Sequence, residues 1–197
     1  MEPRRLHILV VEDNNGDYLL IQDMLHAVRD FAKDISHVES LQDAIDHVQR
    51  QKTDVILLDL SLPDSYGIDS FSRLNEANPA VPILILSGLS DTKFAHDAVK
   101  IGAQDYLVKG EFEEKLLAKS VLYAIERKAN MEMLRQSQAS YKLLFGKTTR
   151  FPWLSAIDDY RIVKVNQFAI EHFGYSEEEL LKMQVQDLHL RGARIPE

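Results

Sequence analysis

"VILLDLSLPDSYG", residues 55–67, decides the fold. Val55-Ile56-Leu57-Leu58 run without a polar break and stop at Asp59. An unbroken apolar run of strand length is a strand buried on both faces, as in a parallel sheet. A carboxylate where such a run stops lies at the carboxyl edge of the sheet, which is where open parallel sheets bind ligands.

Outward from this stretch, similar runs occur at "LHILVV" (6–11), "VPILILS" (81–87) and "DYLVK" (105–109), with a weaker one at "DISHVES" (34–40). Helical spacing fills the gaps. Ile21, Met24, Leu25 and Val28 follow i, i+3, i+4, i+7, and so do Leu41, Ala44, Ile45 and Val48, after a capping-box-like Ser40-x-x-Asp43. Phe71 and Leu74 mark a short third helix that ends near Asn78-Pro79. Phe94, Ala95, Ala98 and Val99 mark a fourth, stopped by Gly102. A fifth starts near Glu111. Alternating strands and helices predict an α/β fold, a doubly wound parallel sheet with helices on both faces.

From Glu113 to Phe145 the chain has neither proline nor glycine. Met131, Leu134, Gln138, Tyr141 and Phe145 keep heptad spacing; Leu117 and Ala124 extend it backwards, and Ser120 and Arg127 interrupt it. The pattern predicts a long helix leaving the domain with a coiled-coil seam; an ordinary surface helix is the alternative. After Gly146 the texture changes. The only tryptophan, Trp153, is followed by a turn at Asp158-Asp159, an alternating strand around 162–165 and helical pieces, which reads as a second module.

Composition narrows the function. A net charge of -8 argues against a nucleic-acid face. Without cysteine there are no disulfides, thiolate metal sites or thiol nucleophiles, which suits a reducing cytoplasm. No apolar run approaches the roughly 18 residues of a membrane span. The opening "MEPRRLHILVVED" reads as a strand, not a signal peptide.

At the strand ends stand Glu12 and Asp13, then Asp59, then Ser87, then Lys109. Close carboxylates repel and need a cation. An all-oxygen donor set favours Mg²⁺, with Mn²⁺ also compatible. Lys109 offers a compact positive charge for an anion, and a carboxylate beside such groups can accept a phosphoryl group. Each piece alone has an ordinary reading as a cap, a helix-dipole partner or a solvated charge. The weight lies in their joint occurrence.

"VVED", "LLDLSLPDSYG", "LSG" and "DYLVK", in this order, resemble the receiver domain of two-component response regulators. The resemblance implies a receiver over 1–127 with a flavodoxin-like (βα)5 sheet of order 2-1-3-4-5. It implies that Asp59 accepts a phosphoryl group from a histidine kinase or phosphotransfer protein. Asp13, Asp59 and the Ser61 backbone carbonyl would hold Mg²⁺, with Glu12 acting through water. Lys109 and Ser87 would bind phosphoryl oxygens, and Tyr106 would turn inward as the switch. The fourth helix, fifth strand and fifth helix would form the output face and, with the linker helix at 128–145, a homodimer contact. Such a domain catalyses only its own phosphorylation and dephosphorylation. Family members usually carry proline after the lysine; here Gly110 stands there.

The second module, 146–197, resembles the N-terminal part of a PAS domain, a resemblance that covers about residues 140–197 through the entry helix "YKLLF", "DDYRIVKVN" with Asn166, and "FGYSEEELL". Its later strands are missing, which leaves apolar surface open and suggests a piece of a longer signalling protein. Its ligand is not indicated, and a flavin–cysteine adduct is excluded. Three other functions fit the residues less well. A non-phosphorylated adaptor would not need the full acid, hydroxyl and lysine set. A haloacid dehalogenase-like phosphatase wants Asp-x-Asp, whereas Leu60-Ser61 follows Asp59. An FMN carrier wants a hydroxyl-rich phosphate loop, and "EDNNGD" is acidic. "DNNGD" fails as a calcium loop, with Tyr18 in the glycine position and Met24 in place of the final glutamate.

Overall fold

The computed structural model describes residues 5–29, 31–88, 92–145, 154–156 and 160–191. They divide into two compact units, 1–132 and 133–197. In the first unit β1 (Arg5–Val11), β2 (Ala32–Val38), β3 (Val55–Asp59), β6 (Ile83–Ser87) and β7 (Asp105–Val108) form one parallel sheet of order β2-β1-β3-β6-β7. Short strands β4 (Ser61–Leu62) and β5 (Ser65–Tyr66) form a separate hairpin directly after Asp59. Without that hairpin, the order is the expected 2-1-3-4-5.

Pleating sorts the core into two layers. Leu9, Val11, Ile56, Leu58, Ile83 and Ile85 pack under α2 (Leu41–Arg50), α3 (Ile68–Ala77) and α4 (Thr92–Lys100). Ile8, Val10, Val55, Leu57, Leu84 and Leu86 pack under α1 (Asn15–Ala27) and α5 (Glu114–Phe145). Both faces of β3 are therefore covered, which is why its sequence does not alternate.

The helix limits follow from local chemistry. Asn14 caps α1 by accepting from the amides of Gly16 and Asp17 at 2.9 and 3.3 Å. Ser40 Oγ caps α2 through the Asp43 amide at 3.1 Å. Gly67 opens α3 at φ +64°, a conformation open to glycine at little cost. Two edges differ from the sequence reading. β2 covers 32–38 rather than 34–40, because an edge strand of mostly half-buried residues leaves no clean apolar run. Helix α5 starts at Glu114 rather than near Glu111, because Phe112 turns into the core first.

Helix α5 continues unbroken to Phe145, as its composition predicts, and Met131, Met133 and Leu134 on it are exposed. The second unit contains antiparallel β8 (Leu154–Ala156) and β9 (Ile162–Val165), then α6 (Gln167–Phe173), α7 (Glu177–Leu180) and α8 (Val185–Arg191). Ile162, Val165, Ala169, Leu180 and Leu188 form its small core. Buried Asn166 caps α6, and Ser176 with Glu179 forms a full capping box on α7. Trp153 and the turn at Asp158-Asp159 lie outside the described residues.

Candidate functional site

The carboxyl edge of the sheet brings the acids together. β3 ends on Asp59, which is almost fully buried. Glu12 and Asp13 follow the adjacent strand β1; Glu12 is fully buried and Asp13 is exposed. One carboxylate oxygen from each of Glu12, Asp13 and Asp59 lies within 4.8 Å of the others. Neighbouring backbone fixes two of them. The Asn14 amide donates to Glu12 Oε1 at 3.2 Å, and the Ser61 amide donates to Asp59 Oδ1 at 3.0 Å.

Lys109 comes in from the end of β7. Its amide donates to the Ser87 carbonyl at 2.8 Å, tying the ends of β6 and β7 together. Its Nζ lies 2.6 Å from Asp59 Oδ2, 2.6 Å from Glu12 Oε2 and 2.9 Å from Asp17 Oδ2. Glu12 Oε2 receives no aligned hydrogen bond, so charge governs that contact. Burial is the main force on Glu12 and raises its carboxyl to about 7; Lys109 pulls it down and the Asp59 charge pushes it up. Burial also disfavours the Lys109 ammonium, but its contacts with the carboxylates of Asp59, Glu12 and Asp17 outweigh it and raise that group above its ordinary value. Lys109 therefore stays charged through the physiological range.

The remaining expected residues divide by face. Ser87 and Tyr106 share the strand parity of the α2–α4 layer. Ser87 is fully buried, and its Oγ has no hydrogen-bond partner among the described residues. Tyr106 is half-buried and packs against that layer. Ser61 stands in the β4–β5 hairpin, beside Asp59 through its amide. Gly110 turns the chain at φ +82°, with nothing within 4 Å of a Cβ added there. Proline, held near φ −65°, does not fit this backbone, so the glycine is a matched departure.

Sequence reading missed two contributors. Asp17 lies one helical turn after Asp13, so a helix starting at Asn15 carries it towards the site; its partner Lys109 is remote in sequence. Asp64, in the turn of the hairpin, accepts from the Leu41 and Gln42 amides at 2.8 and 2.9 Å and clamps the Asp59 loop to the start of α2. Nothing local to "LPDSYG" marks a bond to residues more than twenty positions earlier.

A hard divalent cation fits this donor set. Carboxylate oxygens converge, two of the acids are buried, and the single charge of Lys109 does not balance them.

Comparison with known proteins gives consistent results. The response regulator receiver domain family matches residues 8–121. The transcriptional regulatory protein ZraR of Escherichia coli K12 is 32% identical over 104 residues, covering 53% of this chain and 23% of that protein. The regulatory protein LuxO of Vibrio cholerae is 41% identical over 76 residues, covering 39% of this chain and 17% of that protein. The match thus spans about a quarter or less of these relatives. A response regulator receiver domain protein from Clostridium thermocellum has the same fold, with a TM-score of 0.56 and 24% identity over 64% of this chain and 98% of that one.

Proposed function

The chain belongs to the response regulator receiver domain family, and from that premise we propose that it accepts a phosphoryl group on Asp59 from a histidine kinase or phosphotransfer protein. The observation that carries this reading is the Lys109 ammonium set 2.6 Å from a buried strand-end carboxylate, Asp59, inside an acidic cluster. An Asp59 oxygen attacks phosphorus, the bond from phosphorus to the donor nitrogen breaks, and that nitrogen leaves with the electron pair. Lys109 neutralises charge on a phosphoryl oxygen, and the orphaned Ser87 hydroxyl donates to another. Asp13, Asp59 and the Ser61 carbonyl would hold Mg²⁺, with Glu12 acting through water, and the ion would supply further charge neutralisation.

In this reading residues 1–127 are the receiver, 128–145 the linker and 146–197 the first part of a PAS module. Once Ser87 is engaged, Tyr106 follows inward, and α4, β7 and α5 carry the change along the continuous helix. The same face and helix would form a homodimer, and a monomeric sedimentation profile with and without phosphorylation would count against that part. The chain acts in the cytoplasm and catalyses only its own phosphorylation and dephosphorylation. Among the described residues no helix is long and apolar enough to cross a membrane.

The chemistry of the bond tests the reading. An acyl phosphate on Asp59 is released by hydroxylamine, and Lys109→Ala binds Mg²⁺ in a calorimetric titration yet takes up the group poorly. A label that survives hydroxylamine, or unimpaired uptake by Lys109→Ala, contradicts it.

A further inference from the structure

We infer that Asp17 is a positioning residue of this site: it holds Lys109 in the unphosphorylated protein and yields it to the phosphoryl group. The inference rests on the receiver reading above and adds to it a residue outside the expected acid, hydroxyl and lysine set.

An ammonium has three protons to donate. Lys109 Nζ meets three carboxylates, those of Asp59, Glu12 and Asp17, at 2.6, 2.6 and 2.9 Å. Two of these contacts are hydrogen bonds, to Asp59 and Asp17, and the third is an ion pair with Glu12, so carboxylates crowd the ammonium on three sides. A phosphoryl oxygen can bind Lys109 only when one carboxylate gives way. Glu12 is fully buried and held by the Asn14 amide, so releasing it would strand a buried group. Asp59 is the residue being modified, and its other oxygen is held by the Ser61 amide. The Asp17 side chain is 37% exposed and sits near the open start of α1, where water can replace the lysine at little cost. Asp17 is therefore the ligand that leaves.

Two consequences follow for phosphate donors. Asp17 competes with the donor for Lys109, and its charge repels an incoming dianion. Both raise the donor concentration needed and leave the bond-making step itself untouched. With acetyl phosphate the Asp59 oxygen forms the new bond to phosphorus, the bond from phosphorus to the acetyl oxygen breaks, and acetate departs with the electron pair.

The test follows initial phosphorylation rates against acetyl phosphate concentration at fixed Mg²⁺, for wild type, Asp17→Asn and Asp17→Glu. Asp17→Asn should lower the half-saturating concentration by about two- to fivefold, the scale of an exposed charge pair, with a smaller change in maximal rate. The difference should shrink in high salt. Asp17→Glu, which keeps the charge, should resemble wild type, and all three proteins should melt alike. Equal half-saturation in wild type and Asp17→Asn, or a higher value in Asp17→Asn, overturns the inference alone. A wild-type chain that accepts no phosphoryl group overturns the receiver reading and this inference with it.

Discussion

Glu12 and Lys109 define the site at the scale of single residues. The folded chain holds the Glu12 proton more tightly than the unfolded chain, with the carboxyl raised from 4.5 to about 7. Between those values the native state binds more protons, so this group's contribution to stability falls as pH rises and levels off above 7. Metal-free Glu12→Gln should therefore gain stability at pH 8, on the order of 3 kcal/mol at most. The gain should vanish as pH falls towards 4.5, the ordinary value. Melting curves across pH check this, and a loss of stability at pH 8 would show that Glu12 is bound better charged than neutral. The strand-end acids and Lys109 were legible because each follows an apolar run. Asp17 was not, because its role depends on a lysine ninety-two positions later.

The elements show where local signals suffice and where they fail. The caps at Ser40 and the helices after each long strand follow from spacing alone. The β4–β5 hairpin does not, since two-residue strands have no periodicity and its anchor, Asp64, bonds to α2. Burial alone would raise the Asp64 carboxyl, but the Leu41 and Gln42 amides outweigh it and hold it below its ordinary value. The stability it gives is present at neutral pH and is lost as pH falls through that lowered value. Asp64→Ala should cost about 1–2 kcal/mol in denaturant unfolding, the range of a lost helix cap, and slow phosphorylation by loosening the Asp59 loop. An unchanged unfolding midpoint would remove the clamp. Gly110→Pro should also destabilise, by more than about 1 kcal/mol, because the backbone there sits at φ +82°. Equal or greater stability would mean that the loop adopts another conformation.

At the scale of the whole molecule the two units differ in what sustains them. The first has two buried layers around a five-stranded sheet. The second has a short hairpin and a small core. A chain ending after Glu132 should melt cooperatively and retain phosphorylation, whereas 133–197 alone should show no cooperative transition. Cooperative melting of the second fragment would show that it folds independently. The change of texture after Gly146 is legible in the sequence, whereas the second unit begins earlier, at Met133, inside a helix that carries no break to mark it.

The proposed function turns on the carboxylate at the end of β3 taking up phosphorus. Intact mass measured after incubation with Mg²⁺ and acetyl phosphate, for wild type beside Asp59→Asn, tests it most directly. Wild type should carry one phosphoryl adduct, dependent on Mg²⁺ and absent from Asp59→Asn. An adduct of equal yield on Asp59→Asn would place the chemistry on another residue and contradict it.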